Sequence, residues 1–273
     1  MKRFFIPLSI ILFSITFFFT SCVTFSPRFC PEGKVSLIRQ HTVSIAVYYV
    51  MSDNQYHTWQ TDPDNQFHGI ITTPVAAQYP DKAAAIIGSG TILRDNYVMT
   101  VRHMVDDHYG VGFSNIYVFI PGFDHPVQAD LVCKSPGDNF YDDYAVLKLR
   151  EDAGLPGLRV AEKQPVPGEK VIFTGSTGGF AFFSRFGHVT ELQWHFRTDN
   201  AGILHLTTWE EFPYMCVFPG GPGDSGGSIC NVKGELAGIM YCGLTNYSEE
   251  YIFANPLDML RKFLLKNNLG FLL

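Results

Sequence analysis

Every histidine in this 273-residue chain precedes Ser225, and that order restricts the folds to which a serine flanked by glycines can belong. The segment Gly223-Asp224-Ser225-Gly226-Gly227-Ser228 lets the backbone turn tightly around one hydroxyl. Missing side chains at the glycines also let a substrate carbonyl approach the peptide N–H groups of Gly223 and Ser225, which become candidate oxyanion donors. A serine hydroxyl is a poor nucleophile until a base takes its proton. In the G-x-S-x-G elbow of α/β-hydrolases that histidine follows the serine. The last histidine here is His205, so the elbow reading has no base and is excluded.

A base and an orienting acid can be found upstream. Gly88-Ser89-Gly90-Thr91-Ile92-Leu93 and Tyr97-Val98-Met99-Thr100-Val101-Arg102-His103 read as two short strands joined by the turn Arg94-Asp95-Asn96, with His103 ending the second. Asp142-Asp143 directly precedes the apolar strand Tyr144-Ala145-Val146-Leu147-Lys148-Leu149. With Asp143 as the acid the order is His, Asp, Ser, which also excludes the subtilisin order. His108 is the rival base and reads as a solvated loop residue, Asp142 is the rival acid, and His188, His195 and His205 read as ordinary strand or loop residues.

These residues resemble the trypsin/chymotrypsin family of serine proteases, in particular compact bacterial members related to the HtrA group. Thr100-Val101-Arg102-His103 is similar to the family's T-x-x-H, Asp143-Tyr144-Ala145-Val146-Leu147 to its D-(L/I)-A-(V/L)-(L/I), and Gly223 to Gly227 to its G-D-S-G-G. Softer likenesses at Gly168-Glu169-Lys170-Val171, Gly234 to Ile239 and Phe253-Ala254-Asn255-Pro256 extend the resemblance from Thr42 to Asn267. It implies an all-β fold of two six-stranded antiparallel Greek-key barrels with a C-terminal helix. It also implies a triad of His103, Asp143 and Ser225, with Asp143 preferred over Asp142 because the family acid sits directly before the strand. The oxyanion hole would be Gly223 and Ser225, and Tyr241-Cys242-Gly243 would be the strand that pairs with an extended peptide. In animal trypsins the aspartate before the nucleophile pairs with a freed N-terminus. Here a long leader without an activation site precedes the first strand, so Asp224 is expected to have another partner or none.

The leader is a targeting segment: Lys2-Arg3, then an uncharged apolar run from Phe4 to Ser21 ending at Cys22. Phe19-Thr20-Ser21-Cys22 resembles a bacterial lipobox, with Phe19 in place of leucine. A lipid on Cys22 is the expectation and an uncleaved anchor helix the alternative; either tethers an exported domain in the bacterial cell envelope. The expected organisation is a signal peptide over 1–21, a tether over 22–40, a first barrel over 41–155, a second over 156–255 and a helix over 256–273. Asn54 to Ala85 reads as a surface insertion, and Asn255 as an N-cap with Pro256 at the first helical position. With six residues after Asn267, no C-terminal PDZ domain is expected.

A hydrophobic content of 46% supports a large core, and a net charge of -6 without a basic run beyond the N-terminus speaks against nucleic-acid partners. Setting Cys22 aside leaves Cys30, Cys133, Cys216, Cys230 and Cys242, an odd number at spacings that match no zinc pattern, so no metal or other cofactor is expected. Cys216 with Cys242 is a possible pair. Pro219-Gly220-Gly221-Pro222 brings no acid to the place where trypsin's pocket aspartate lies, so small or apolar residues are expected before the scissile bond. The expected activity is a tethered serine endopeptidase acting on peptides or proteins, of unspecified oligomeric state. A catalytically silent binding module of the same fold is the alternative.

Overall fold

The computed structural model describes residues 32–52, 54, 83–107, 110–137, 142–179, 181–189, 194–198, 204–208, 214–217, 221–245 and 250–273. All belong to one unit, Glu32–Leu273. The leader with Cys22 lies outside these residues, and among them no helix is long and apolar enough to cross a membrane.

The β-branched and aromatic run Thr42-Val-Ser-Ile-Ala-Val-Tyr-Tyr-Val favours a pleated strand, and β1 spans Thr42–Val50. It pairs antiparallel with β2 (Ala83–Ile92) from Thr42 opposite Thr91 to Val50 opposite Ala83. Ala83 to Ala85, expected at the end of the insertion, are therefore strand. Residues 55–82 lie outside the described set. Three further strands complete the chain's path through this half after β3 (Tyr97–Thr100): β4 (Asn115–Phe119), β5 (Val127–Lys134) and β6 (Ala145–Leu149). The six close into a barrel in the order β1-β2-β3-β6-β5-β4, a Greek key because β3 takes β6 as its neighbour. Closure leaves no strand edge exposed. On β1, Ala46 and Tyr48 form a cluster with Ala85 and Tyr117, while the alternate residues Ile45, Val47 and Tyr49 are fully buried on the opposite side.

The second half holds β7 (Lys170–Thr177), β8 (Ala181–His188), β11 (Tyr214–Val217), β12 (Ser228–Asn231), β13 (Leu236–Thr245) and β14 (Glu250–Asn255) in one sheet ordered β11-β14-β13-β12-β7-β8. The outer strands β8 and β11 approach each other, so the sheet curls around its core of Val171, Phe173, Val189, Ile229, Met240, Ile252 and Ala254. A separate hairpin pairs β9 (Trp194–Thr198) with β10 (Leu204–Thr208). Sequence patterning predicts strands in this half near Lys170 to Thr174, Phe186 to Gln193, His205 to Thr208, Ser228 to Val232 and Glu235 to Tyr241, so it misses β9, β11 and β14 and sets β8 too late, since that strand spans Ala181–His188. Arg185 in the middle of that strand breaks the apolar signal.

Helix α1 (Glu32–His41) occupies part of the span expected as tether, with Ile38 and His41 buried. Helix α2 (Leu257–Lys266) buries Leu257, Leu260, Phe263 and Leu264. Its cap is Pro256, whose carbonyl accepts from Leu260 N at 3.0 Å. Asn255, expected as the N-cap, is the last residue of β14, and its amide is turned elsewhere. Phe263 stacks on Tyr144 with ring centroids 5.2 Å apart, which docks α2 behind the strand that follows Asp143.

Cys133, Cys230 and Cys242 form no disulfide. The possible Cys216–Cys242 pair is overturned by strand order. Cys216 lies opposite Ile252, and Ile252 opposite Gly243, so β14 separates the two cysteines. Two strand spacings are about 9.5 Å, well beyond the roughly 4.4–6.8 Å between Cα atoms that a disulfide spans.

Candidate active site

After β3 the chain makes a single 3₁₀ turn, Arg102–Met104, which lifts His103 out of the strand and leaves its side chain 41% exposed. The Tyr49 hydroxyl lies 2.8 Å from Met104 O and 3.0 Å from Asp106 O, so the buried phenol braces this turn from beneath. Asp143 is buried at the mouth of β6 and holds His103 twice. The main-chain N–H of His103 donates to Oδ1 at 2.8 Å, and its Nδ1 lies 2.6 Å from Oδ2. A buried carboxylate beside Nδ1 selects the tautomer with the proton there and leaves the lone pair on Nε2. Asp142 contributes its main-chain carbonyl, which accepts from Ser135 Oγ at 2.5 Å. The main chain of Asp143 is fixed from the other side, because Asn255 Nδ2 donates to its carbonyl at 3.0 Å.

Ser225 belongs to the second half, and Ser89 of the first barrel joins the two. Ser89 N donates to the Ser225 carbonyl at 2.6 Å, and the Ser89 hydroxyl donates to Gly223 O at 2.7 Å while accepting from Ser176 N at 2.7 Å. Thr100, three residues before His103, donates its hydroxyl to Ser89 O at 2.7 Å. Gly88 lies between the Met104 side chain and the Ser225 carbonyl, so β2 carries both the histidine turn and the serine loop on its flank.

Gly226 has φ +86, and a Cβ there would collide with Ser89 O and lie 2.5 Å from Thr100 Oγ1. Gly226→Ala combines that overlap with a backbone conformation L residues avoid. It is expected to destabilise the fold by roughly 2–4 kcal/mol. A urea midpoint equal to wild type would show that the two halves do not meet so closely.

Two peptide planes of the serine loop are pinned through their carbonyls. Pro222 O accepts from Gly178 N at 2.7 Å, and Asp224 O accepts from Gly227 N at 2.8 Å. In a trans peptide the N–H points opposite to the carbonyl, so the N–H groups of Gly223 and Ser225 are turned away from these partners. Neither donates to an acceptor among the described residues, whereas Asp224 N, Gly226 N and Gly227 N all do. The Asp224 side chain is fully buried. It accepts from Thr177 Oγ1 at 2.7 Å, Gly221 N at 2.9 Å and Arg185 Nη1 at 3.2 Å. Burial pushes its carboxyl above the ordinary aspartate range, opposed by Thr177, Arg185 and the Gly221 N–H.

Strand β13 passes beside the loop. Met240 exchanges bonds with it, since Gly226 N donates to Met240 O at 2.7 Å and Met240 N to Gly227 O at 3.0 Å. A bulge at Tyr241 follows, and Cys242 and Gly243 then pair with Phe253 and Ile252 of β14. Beyond Ile239 no β12 residue pairs with β13, so among the described strands the flank of Cys242 and Gly243 has no strand neighbour. Residues 218–220, expected to wall the specificity pocket, and His108 lie outside the described residues.

Burial pushes the Cys242 thiol up to about 12, and the nearby Asp143 carboxylate adds to the rise. At pH 8 the thiolate fraction is then on the order of 10⁻⁴. Iodoacetamide at that pH should leave Cys242 unmodified in the folded protein, as read by peptide mass mapping. Rapid carbamidomethylation at this position would contradict the burial.

Among the described residues no group of three His, Cys, Asp or Glu side chains could hold a metal ion. Sequence reasoning overlooked Ser89, Tyr49, Asn255, Thr177 and Arg185. Of these, Arg185 alone carried a signal: one arginine between phenylalanines in Phe182-Phe183-Ser184-Arg185-Phe186 requires a partner for its charge.

A family model described as a trypsin-like peptidase domain matches residues 88–239. The probable periplasmic serine endoprotease DegP-like of Marinomonas sp. (strain MWYL1) is 29% identical over 181 residues, covering 64% of this chain and 34% of that protein. Its namesake from Ectopseudomonas mendocina (strain ymp) is 30% identical over 161 residues, covering 58% and 30%. The chain spans about a third of the length of the curated relatives it matches. In architecture it resembles the active form of the Rv3671c protease from M. tuberculosis, with a TM-score of 0.60 and 21% identity over 88% of this chain and 86% of that one. It also resembles the serine endoprotease from Yersinia pestis, with a TM-score of 0.54 and 20% identity over 86% and 65%. At these identities the structural likeness is one of fold.

Proposed function

The chain belongs to the trypsin-like peptidase family, and from that premise we propose that it is an exported serine endopeptidase working through His103, Asp143 and Ser225. The observation that carries the reading is the two-point hold of buried Asp143 on His103, with Nδ1 2.6 Å from Oδ2 and the main-chain N–H 2.8 Å from Oδ1. A carboxylate so placed keeps the Nε2 lone pair directed away from itself and stabilises the imidazolium once a proton arrives.

His103 Nε2 takes the Ser225 proton as Oγ attacks the scissile carbonyl. The N–H groups of Gly223 and Ser225 receive the oxyanion, and the imidazolium returns its proton to the leaving amine. Water then enters by the same route in reverse and releases the acyl group. An extended substrate adds a strand along Tyr241-Cys242-Gly243, a role supported by the flank that β12 leaves beyond Ile239.

The test is a fluorophosphonate probe on the purified full chain. Covalent label on Ser225, identified by mass spectrometry and blocked by a peptide substrate, supports the assignment. A folded chain that takes no label while a control protease does would make it a silent binding module.

The relatives' description as periplasmic and the leader of this chain together support export to the bacterial cell envelope. Attachment to the membrane runs through a lipid on Cys22. Metabolic labelling with an alkyne fatty acid is expected to mark wild type and to miss Cys22→Ala. Equal label in both sinks the lipid assignment, and an intact mass beginning at Met1 points to a retained anchor.

A further inference from the structure

Asp224 is buried between the two peptides whose N–H groups would receive the oxyanion, so whatever fixes its carboxylate also fixes them. Oδ1 accepts from Thr177 Oγ1 at 2.7 Å, and Oδ2 from Gly221 N at 2.9 Å and Arg185 Nη1 at 3.2 Å. The second arm of the same guanidinium, Nη2, donates to Thr177 Oγ1 at 2.8 Å and closes a ring of three side chains. The guanidinium carbon lies 5.5 Å from the Phe173 ring centroid and 5.7 Å from that of Phe183, in a slot with one edge open, for the Arg185 side chain is 19% exposed. Thr177, opposite Ala181, and Arg185, opposite Phe173, lie on the two strands of the β7–β8 hairpin, and Gly178 at its turn pins the Pro222 carbonyl. One hairpin thus holds both the carboxylate of Asp224 and the peptide plane that aims Gly223 N–H.

We propose that Arg185 is a positioning residue that assembles the oxyanion loop from within the folded domain, so that the loop is competent without cleavage of the chain. The proposal rests on the Ser225 reading above. A guanidinium suits the task because its planar fork reaches a carboxylate and a hydroxyl together and stays charged when partly buried. Without it Asp224 would be an uncompensated buried charge, and the loop would relax until water or a proton reached the carboxylate. Such relaxation rotates the Pro222–Gly223 peptide and withdraws one oxyanion donor, a loss that lowers turnover by about 10²–10³ in serine proteases. Substrate pairing along β13 and the His103–Asp143 pair are left intact.

The experiment measures fluorophosphonate inactivation of the full chain, resolved into kinact and KI, for wild type, Arg185→Ala, Arg185→Lys and Thr177→Val. Arg185→Ala is expected to lower kinact on the order of 100-fold with KI nearly unchanged. Guanidinium ion at low millimolar concentration should enter the vacated slot between Phe173 and Phe183 and recover part of the rate, with no effect on wild type. Arg185→Lys, which keeps the charge without the fork, should lie between them. Thr177→Val removes a neutral link and keeps the fold, so it decides the matter where Arg185→Ala fails to fold; a loss of about tenfold in kinact is expected. Wild-type kinact in Thr177→Val and Arg185→Lys, or a rate loss in Arg185→Ala that tracks melting temperature and ignores guanidinium, overturns the proposal while leaving the Ser225 assignment standing. Absence of label in folded wild type overturns that assignment first and this one with it.

Discussion

Ser225→Ala is expected to abolish fluorophosphonate labelling and to lower kcat for peptide hydrolysis by roughly 10⁶, because the nucleophile of the proposed triad would work as a unit with its base. The fold is expected to survive. Ser225 is tied to Ser89 through its main-chain carbonyl, which alanine keeps, and the flanking turn depends on Gly223 and Gly226, which are untouched. Circular dichroism and a urea midpoint near that of wild type, together with zero turnover, are the expected results. Appreciable hydrolysis by folded Ser225→Ala would show that another residue of the chain, or a contaminating protease, carries the activity.

Asp143→Asn is expected to lower kcat by about 10⁴, the loss found for this replacement in chymotrypsin-type triads. The carboxylate accepts two hydrogen bonds from His103, one from the main chain and one from Nδ1. An amide cannot accept both and also stabilise a positive ring. If it turns its NH₂ towards Nδ1, it selects the tautomer that is protonated on Nε2 and useless as a base. Asp142→Asn should change kcat by less than about tenfold, since the bond Asp142 makes to Ser135 uses its main-chain carbonyl. Steady-state kinetics on the two variants separates the neighbours, and the opposite ranking would move the orienting acid by one residue.

The three residues proposed for catalysis were legible because each sits in a local motif whose chemistry is set by its neighbours. Thr100 to His103 ends a strand, Asp143 opens one, and Gly223 to Gly227 forces a turn. Chain order alone then removed the α/β-hydrolase reading. Most strand positions in the first barrel were legible for a similar reason, since β1 and β3 are rich in β-branched and aromatic residues and β6 is a short, largely apolar run behind Asp143. The register that makes Ala83 to Ala85 pair with Tyr48 to Val50 was not, because three alanines carry little strand preference and owe their conformation to the partner strand.

Local patterning determined which side chains are chemically able and in what order the chain presents them. Tertiary structure decided what holds them. Asn255 looks like a helix cap, yet its amide is turned to the Asp143 carbonyl across 112 positions of sequence. Cys216 and Cys242 look pairable, yet β14 runs between them. Asp224 finds Arg185 and Thr177 on a hairpin far upstream, and Ser89 reaches Gly223 and Ser225 from the other barrel. Hydrogen bonds of this kind join groups distant in sequence, and these donors and acceptors take the partners that the packed sheets deliver. No single stretch of residues encodes such a partner, because burial rather than chain proximity makes an unpaired donor or carboxylate costly.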